Sequence, residues 1–554
     1  MNRWFGCLLG MAVVSFAHAQ VRAPANPLQT LPRTETPQQA KVEVNVQAPS
    51  EALQALLARQ LTPTRFDVAG VKSVPFAEVA GLFAPMRGKA VTIGDLVAAA
   101  NKVNAVYQKH GFALSFAFIP NQNFADGVVG VTVVEGYVTQ VDVRGDAGNM
   151  DKRIRAIAAH VVGERPLRQA TFERYTQLLG QLPGATVAAN VATPTTTDGA
   201  TTLVLDVTRK RYDISYGLDF NHPGTQGVFT AMENGATPLA EQLSLATLFP
   251  NGGGQRLYTG RWTEPFGSDG WQGQIDANRY WGRPDTDDQL PAYLDHQLNI
   301  DRLALSAIYP LRLTNSERLN LNLSTYAARQ DDRYRNIESG AAIALQSSIR
   351  VLAAELTWTK VNGKSSRQFS VNVMHGFDAF GAYSRATANR ALASPIPTPD
   401  VKYTRYMMAL VLADPWPHGF ATVFRAMGQY SDASLPSSEQ VNFGGPIYGL
   451  AYDPGEAGGD SGWAASGEIN RAFTLSSRWV TGLTPYVTYQ AARVFLNRAK
   501  PLVDRLDSAA VGIRASDGKH YSFDFGWAWP TGDRPVENRN RDPRWNLTFS
   551  YNFR

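Results

Sequence analysis

Apolar and polar residues alternate along most of the second half of this chain, most clearly near its end. The apolar members of the two last runs are Tyr521, Phe523, Phe525, Trp527 and Trp529, then Trp545, Leu547, Phe549, Tyr551 and Phe553. Small or polar residues lie between most of them. Because successive side chains of a strand point to opposite faces, each run predicts a β-strand with one apolar face.

The alternation begins near residue 210, and no helical period follows it. About sixteen such segments fit into 210–554, or roughly 22 residues for each strand and its connection, which suits a transmembrane β-barrel. A large soluble β-sandwich would also alternate. It would not explain the many aromatic residues, or an end in which Tyr551 and Phe553 hold the place of the terminal aromatic assembly signal of outer-membrane barrels. The pattern therefore predicts an antiparallel transmembrane β-barrel over 210–554.

The first part of the chain has a helical period instead. In 91–111 the apolar residues recur at helical spacing, Thr92 with Asp95 forms a capping box, and Gly111 follows the end. Strand, helix, helix, strand, strand is the predicted order over 64–136, and the same order recurs over 137–209. The chain is thus expected to carry two consecutive α+β modules before the barrel.

The N-terminus reads as an export signal. A basic residue, an apolar run and Ala17-His18-Ala19 predict a secretory signal peptide over 1–19, whose removal takes away Cys7, the single cysteine. Disulfides and thiol chemistry are thereby excluded from the exported chain. A proline-bearing arm is expected over 20–63, with a short amphipathic helix over 50–61. No apolar run reaches 18 residues, so a membrane-embedded form would have to be a barrel.

Catalytic motifs and cofactor motifs are missing from the sequence. The eight histidines are scattered without paired-ligand spacing, and Gly252-Gly253-Gly254 precedes no helix, so we expect no metal, nucleotide or other cofactor. The segment 459–463, GDSGW, resembles a serine-protease nucleophile motif, but no matching His and Asp context accompanies it. A net charge of +5 without a clustered basic helix does not favour nucleic-acid binding. We expect a protein that is not an enzyme.

Taken together, this layout resembles the two-partner secretion translocators, the ShlB/FhaC/HecB type within the BamA-like outer-membrane superfamily. The supporting fragments are VVEGYV, LLGQLPG, TEPFG (263–267) and AIYPLRLT (307–314). The resemblance implies that 64–136 and 137–209 are polypeptide-transport-associated (POTRA) domains in the periplasm of a Gram-negative bacterium. It also implies a barrel that exports an unfolded secreted partner of the haemolysin or adhesin type.

The resemblance carries further expectations about partners. The barrel would contact outer-membrane lipid, be inserted by the barrel assembly machinery through Tyr551 and Phe553, and act as a monomer. Two other functions remain open from the sequence: a BamA-like assembly factor, and a passive barrel channel with porin activity. Two modules rather than about five favour translocation over assembly.

One glycine-rich segment matches the family's lumen loop. Seven of the 23 residues of 441–463 are glycine, and the resemblance implies that 433–461 folds inward. The positions that match the family's loop backbone are Gly444, Gly445, Gly459, Asp460 and Gly462. At the tip, Ile447-Tyr448-Gly449-Leu450 stands where the family has V-R-G-F/Y.

In the family, the arginine of this motif pairs with an aspartate on the barrel wall. Both members of that ion pair are replaced in this chain. Tyr448 stands in place of the arginine and Gln490 in place of the aspartate on the barrel wall. Replacing both partners avoids a stranded charge, whereas removing one costs roughly 3–5 kcal/mol. We expect a neutral lock formed by Tyr448, Gly449 and Gln490, in which the tyrosine hydroxyl hydrogen-bonds Gln490. The alternatives are a disordered loop and an alignment shifted by a few residues.

Overall fold

The structure is a computed structural model that describes 57–553 except 113, 125, 192–197, 221–224, 252–253, 284–291, 392–394, 447 and 537–539. The predicted signal peptide, and most of the predicted arm with the start of its helix, lie outside these residues. At its end the predicted helix 50–61 is wrong. Strand β1 (Gln60–Leu61) pairs with β3 (Val91–Thr92), and this pairing fixes the backbone as extended where the apolar spacing suggested a helix.

The first module is a small three-stranded sheet covered by helices. Its elements are β2 (Arg65–Ala69), α1 (Phe76–Ala80), α2 (Ile93–Lys109), β4 (Phe116–Phe118) and β5 (Val128–Val134), with sheet order β2-β5-β4. The capping box of α2 is confirmed: the Asp95 N–H donates to Thr92 Oγ1 at 3.0 Å, and the Thr92 N–H donates to Asp95 Oδ2 at 2.9 Å. Leu96, Val103 and Tyr107 of α2 are fully buried against the sheet.

The second module repeats the arrangement. Its elements are β6 (Tyr137–Gly145), α3 (Asp151–Ala158), α4 (Gln169–Leu179), β7 (Ala185–Val191) and β8 (Ala200–Arg209), with sheet order β6-β8-β7. Strand β6 runs parallel to β8, and β7 runs antiparallel to it, as β2, β5 and β4 do in the first module. The core lies between the helices and this sheet, around Ile154, Leu179 and Leu205.

The rest of the chain closes into one antiparallel barrel. Its first nine segments are β9 (Tyr212–Asp219), β10 (Gln226–Asn234), β11 (Gln242–Asn251), β12 (Arg256–Phe266), β13 (Trp271–Gly282), β14 (Leu294–Leu313), β15 (Glu317–Asn336), β16 (Ala342–Asn362) and β17 (Ser365–Gly376). The others are β18 (Tyr383–Ala388), β19 (Tyr403–Pro415), β20 (Phe420–Tyr430), β23 (Ser461–Arg471), β24 (Phe473–Thr474), β25 (Gly482–Phe495), β26 (Arg505–Ser516), β27 (Tyr521–Pro530) and β28 (Arg544–Phe553). The hairpin β21 (Val441–Phe443) and β22 (Ala457–Gly459) lies outside the barrel sheet.

These eighteen barrel segments form sixteen strands. Segment β18 extends β17, since both pair with β16, and β24 extends β23, since both pair with β25. Strand β28 closes the barrel by pairing with β9, with Tyr551 opposite Tyr216 and Phe553 opposite Ile214. The predicted antiparallel barrel of about sixteen strands is confirmed. In the described residues no helix is both long and apolar enough to cross a bilayer.

Side-chain burial separates the two faces of the wall. Along β14, Leu303 and Leu305 are 53% and 50% exposed, whereas the intervening Ala304 is 5% exposed. Ala304 belongs to a buried cluster that includes Leu435, which lies on the long connection between β20 and β23. The exposed apolar positions therefore face outward to lipid, and the alternate positions face the lumen.

The second module is docked on the turns at one end of the barrel. Arg174 of α4 donates through Nη2 to Asp269 O at 2.9 Å and to Tyr309 Oη at 2.9 Å, and through Nη1 to Pro310 O at 3.0 Å. Burial raises the pKa of the Asp269 carboxyl, but hydrogen bonds from Tyr309 and Tyr175 and the Arg174 charge more than offset it, so this pKa is lowered. Asp269 is therefore a stable anion between module and barrel.

Replacing Arg174 by alanine is expected to loosen this junction. The substitution removes one cation that joins α4 to two barrel segments, so amide hydrogen exchange should rise in α4 and in the turn 267–270. Arg155→Ala is the matched control, since the ion pair that Arg155 makes in the described part of the chain is with Asp151, within α3, at 2.8 Å. Equal exchange in both variants would contradict the assignment of Arg174 to the junction.

Candidate functional site

The connection between β20 and β23 folds into the barrel lumen. Its hairpin pairs Val441 with Gly459 and Phe443 with Ala457. Buried loop residues, among them Phe443, Leu450 and Tyr452, form one apolar cluster with lumen-facing wall residues such as Ala492 and Leu506. This apolar contact favours the position of the loop inside the lumen.

Glycine is required at two positions of the hairpin end. Gly444 has φ +111°, and a Cβ atom there would lie 2.0 Å from Asp453 O. Gly449 has φ +134°, and its Cβ would lie 3.0 Å from the Gly444 Cα atom. The other predicted loop glycines are nearby: the Gly445 N–H donates to Gly449 O at 3.0 Å, Gly459 is in β22, and Gly462 is in β23.

Gln490 binds the loop tip, but through the loop backbone. Its Oε1 accepts from the Gly449 N–H at 2.7 Å, from the Leu450 N–H at 2.8 Å and from Ser508 Oγ at 3.2 Å. Tyr448 instead packs edge-on against Phe443, with ring centroids 6.0 Å apart. The structure thus brings Tyr448, Gly449 and Gln490 together at the tip. The contact differs from the expected one. The side-chain oxygen of Gln490 accepts hydrogen bonds from backbone N–H groups, whereas a hydrogen bond with the Tyr448 hydroxyl was expected.

Restoring the arginine at the tip is expected to be harmful by itself. Tyr448→Arg would add a cation to a tip whose neighbouring cavity, of about 130 Å³, is already lined by Arg425 and Arg514. Adding Gln490→Asp supplies a carboxylate at the position that already contacts Gly449. We expect the single variant to lower partner secretion and the double variant to recover it, as measured by immunoblotting of culture medium. A silent single variant would show that the tip position is unimportant.

A further contact between the loop and the wall is one that the sequence did not point to. Glu439, in a short 3-10 helix Ser437–Glu439, forms a 2.8 Å ion pair with Arg405 of β19, and the two side chains are only 6% and 5% exposed. Tyr326 Oη donates to Glu439 Oε2 at 2.7 Å, and Arg405 Nη1 donates to Glu439 O at 2.6 Å. A buried, hydrogen-bonded ion pair therefore holds the loop, with the carboxylate on the loop and the arginine on the wall.

Of the other loop carboxylates, Asp453 also pairs with a wall arginine, whereas Glu456 and Asp460 accept hydrogen bonds from backbone N–H groups. Asp453 pairs with Arg544 of β28, and Glu456 Oε1 accepts from the Val536 N–H at 2.5 Å. Asp460, 1% exposed, accepts from the Leu435 N–H at 2.7 Å and the Asn497 N–H at 2.8 Å. Asp460 thus ties the start of the loop to the connection between β25 and β26.

Ser461, in the protease-like GDSGW segment, has a structural role. Its hydroxyl donates to Ser431 O at 3.1 Å and accepts from the Ser431 N–H at 3.0 Å. These bonds join the two ends of the loop where it leaves and re-enters the barrel wall. They engage the hydroxyl that a nucleophile would need free.

Beside the loop tip the lumen is strongly polar. Arg514 of β26 donates to both Glu468 oxygens at 2.7 and 2.8 Å and to Asp524 Oδ2 at 3.0 Å. Tyr486 Oη donates to Asp524 Oδ1 at 2.9 Å. These charged groups are paired with one another, which suits a water-filled lumen. A polar polypeptide that passed them would gain or lose little interaction free energy.

Two family models match this chain. One, described as POTRA domain, ShlB-type, matches residues 61–136, and the other, described as haemolysin secretion/activation protein ShlB/FhaC/HecB, matches residues 301–515. Among curated proteins, the heme/hemopexin transporter protein HuxB of Haemophilus influenzae strain 86-028NP is 19% identical over 480 residues, or 84% of this chain and 83% of the relative.

Solved structures share the fold. CdiB from Escherichia coli superimposes with a TM-score of 0.66 at 16% identity, over 93% of this chain and 94% of that one. BamA from Haemophilus ducreyi lacking POTRA domains 1–3 gives a TM-score of 0.55 at 13% identity, over 89% and 100%.

Proposed function

The chain belongs to the ShlB/FhaC/HecB family of outer-membrane translocators, and we propose that its two periplasmic modules recognise one large secreted partner of the haemolysin or adhesin type. The barrel lies in the outer membrane, and the POTRA region lies in the periplasm. Translocators of this family export partner proteins. The observation that carries the proposal is the docking of an α+β module on a sixteen-strand barrel whose lumen holds a loop fastened by polar contacts.

Recognition is proposed to use main-chain hydrogen bonds. Each module has sheet edges formed by its outer strands, β2 and β4 in the first and β6 and β7 in the second. An extended client can add to such an edge, or lie in the groove between strand and helix, with little demand on its sequence. This binding mode suits an unfolded client. It could operate at either of the proposed domains, 64–136 and 137–209.

Passage is proposed to require displacement of the loop 433–461. A lumen of sixteen strands admits an unfolded chain but not a folded domain. The loop is held by hydrogen bonds and ion pairs, which can exchange with water or with a polar client one at a time. In this proposal the Tyr448, Gly449 and Gln490 contact is the tip of a releasable lock, and the steps are non-covalent, with no catalytic residue and no cofactor.

Barrel insertion is proposed to depend on the last strand. Phe553 is 48% exposed on β28, and its ring lies 4.8 Å from that of Tyr551. These two aromatics fit the proposed signal for the barrel assembly machinery. Strand β28 already closes the barrel against β9 of the same chain, which supports a monomer.

Co-expression with the adjacently encoded protein tests the function. In a host without either gene, we expect the partner to reach the medium only when this chain is present, and to remain in the periplasm otherwise. An assembly factor would instead change the amounts of unrelated outer-membrane barrels, and a passive channel would release small solutes without the partner. Either of those results in place of secretion would overturn the proposal.

A further inference from the structure

A row of polar side chains, most of them charged or aromatic, crosses the outward face of six neighbouring barrel segments. Cross-strand pairing places each member directly beside the next. In order, the row is Tyr258, Arg279, Asp301, Arg329, Ser348 and Tyr383. Arginine is costly on a lipid-facing wall at the middle of a bilayer but is tolerated near its boundary, so the depth of this row matters.

The row lies on the side away from the periplasmic modules. Asp301 precedes Leu313, the end of β14 next to the docked module, by twelve residues. At about 3.3 Å per residue and a tilt near 40°, that is roughly 30 Å, just beyond an apolar band of about 25 Å. The row therefore lies at the extracellular boundary of the membrane.

A depression lies directly below the row, toward the membrane. The next outward positions are small at Gly260, Ala277 and Ala327. Leu303 lies between Ala277 and Ala327, and Arg350 lies beyond Ala327. Together with the row they line an open depression of about 790 Å³. One step deeper the wall is mostly apolar, at Trp262, Ile275, Leu305 and Leu352. The depression is thus polar above and apolar below.

Positive charge is in excess there. Asp301 lies 3.6 Å from Arg279, and both side chains are more than half exposed. Arg350 Nη1 donates to Ser348 Oγ at 2.9 Å and to Ile349 O at 2.8 Å. Arg329 is paired with Asp301 in register, and among the described residues it has no hydrogen bond and no carboxylate within ion-pair distance. Three guanidinium groups and one carboxylate leave two net positive charges.

We propose that this depression binds the phosphorylated headgroup of the outer-leaflet glycolipid, lipopolysaccharide, with an acyl chain over Gly260, Ala277 and Ala327. Guanidinium forks match phosphate geometry in a bidentate manner, and the two excess charges match the two phosphates of lipid A. The depression opens at the lipid boundary, where a headgroup and its acyl chains meet polar and apolar surfaces in the required order. The tyrosines at its ends suit the membrane interface.

Native mass spectrometry of the full-length protein with bisphosphorylated lipid A tests the proposal. The variant Arg279→Gln/Arg329→Gln/Arg350→Gln is expected to retain lipid A at least about tenfold less than wild type, because it loses the charged hydrogen bonds from three guanidinium groups to the phosphates. The matched control, Arg65→Gln/Arg144→Gln/Arg155→Gln, removes three exposed arginines from the modules and should bind as wild type does. Heat-modifiability on gels confirms that each barrel is folded.

Further measurements distinguish lipid A from other phosphate-bearing ligands. Monophosphorylated lipid A should bind less tightly, and inorganic phosphate at millimolar concentration should not displace the bound lipid. Ala327→Phe fills the depression without changing a charge, and it should also weaken retention. Equal retention by the triple variant, or equal retention of phosphatidylglycerol by wild type, would overturn the proposed site. Secretion of the partner is a separate readout, so failure of this site leaves the proposed function intact.

Discussion

Removal of residues 64–209 is expected to abolish secretion of the partner while the barrel still inserts into the outer membrane. The barrel sheet is closed by its own strands, from β9 to β28, and among the described residues none of its pairings uses a module strand. The partner, however, would lose the surfaces that are proposed to recognise it. We expect the truncated barrel to remain heat-modifiable and partner in the medium to fall below detection by immunoblotting.

A smaller deletion separates recognition from support of the barrel. The second module contacts the barrel turns through Arg174, so its loss could also disturb the barrel. The first module meets the second, where the Gln169 N–H donates to Gly111 O at 2.7 Å. Deleting 64–136 leaves the junction of α4 with the barrel in place, and secretion should still fall at least about tenfold if the first module binds the partner. Unchanged secretion by both truncated chains would refute recognition by the modules.

Local periodicity was sufficient to predict the architecture. A strand's two-residue period is imposed by the lipid on one side and the lumen on the other, so the aromatic alternation over 521–529 appears in the sequence itself. The capping box of α2 is equally local. The helix predicted over 50–61 failed at its end because the pairing of Gln60 and Leu61 with β3 is a tertiary contact that helical spacing does not contain.

The candidate site was predictable only in part. Glycines at 444 and 449 are demanded by backbone geometry, and the family resemblance located them. The resemblance also indicated positions 448 and 490. It did not indicate the buried ion pair, whose partners Arg405 and Glu439 are 34 residues apart in the chain. Glu439 stands in a polar stretch, PSSEQ, typical of an exposed turn. Its burial depends on the loop folding inward, which no local pattern expresses.

The signs of the charges on loop and wall are opposite to those that the resemblance implied. Glu439 and Asp453 of the loop reach Arg405 and Arg544 of the wall, so the loop is the anionic partner. The resemblance led to the expectation of a cation on the loop tip and an anion on the wall. With the tip neutral at Tyr448 and Gln490, the ionic part of the fastening lies at the loop's two flanks. If the loop is displaced as proposed, release of these flanks is expected to be the costly step.

Replacing Arg405 by alanine is expected to cause a large loss of stability and of loop closure. Glu439 would remain buried without its cation, which costs about 3–5 kcal/mol. We expect the loop to leave the lumen, which would raise the open fraction of the purified protein in a planar bilayer and lower the free energy of unfolding in urea. Arg498→Ala is the matched control, because Arg498 pairs with Asp400 at 2.8 Å with both side chains at least a third exposed, a class of pair worth about 0–1 kcal/mol.

A paired replacement distinguishes the ion pair from the packing around it. In Arg405→Met/Glu439→Gln both charges are gone, and the glutamine oxygen can still accept from Tyr326 Oη, which now bonds Glu439 at 2.7 Å. Since neither partner leaves a stranded charge, the double variant should recover most of the stability and the closed state that Arg405→Ala loses. If it opens as much as the single variant, the ion pair itself closes the lumen, and removing the stranded charge does not restore closure. If neither variant opens, the loop is held by the apolar cluster around Phe443 and Tyr452.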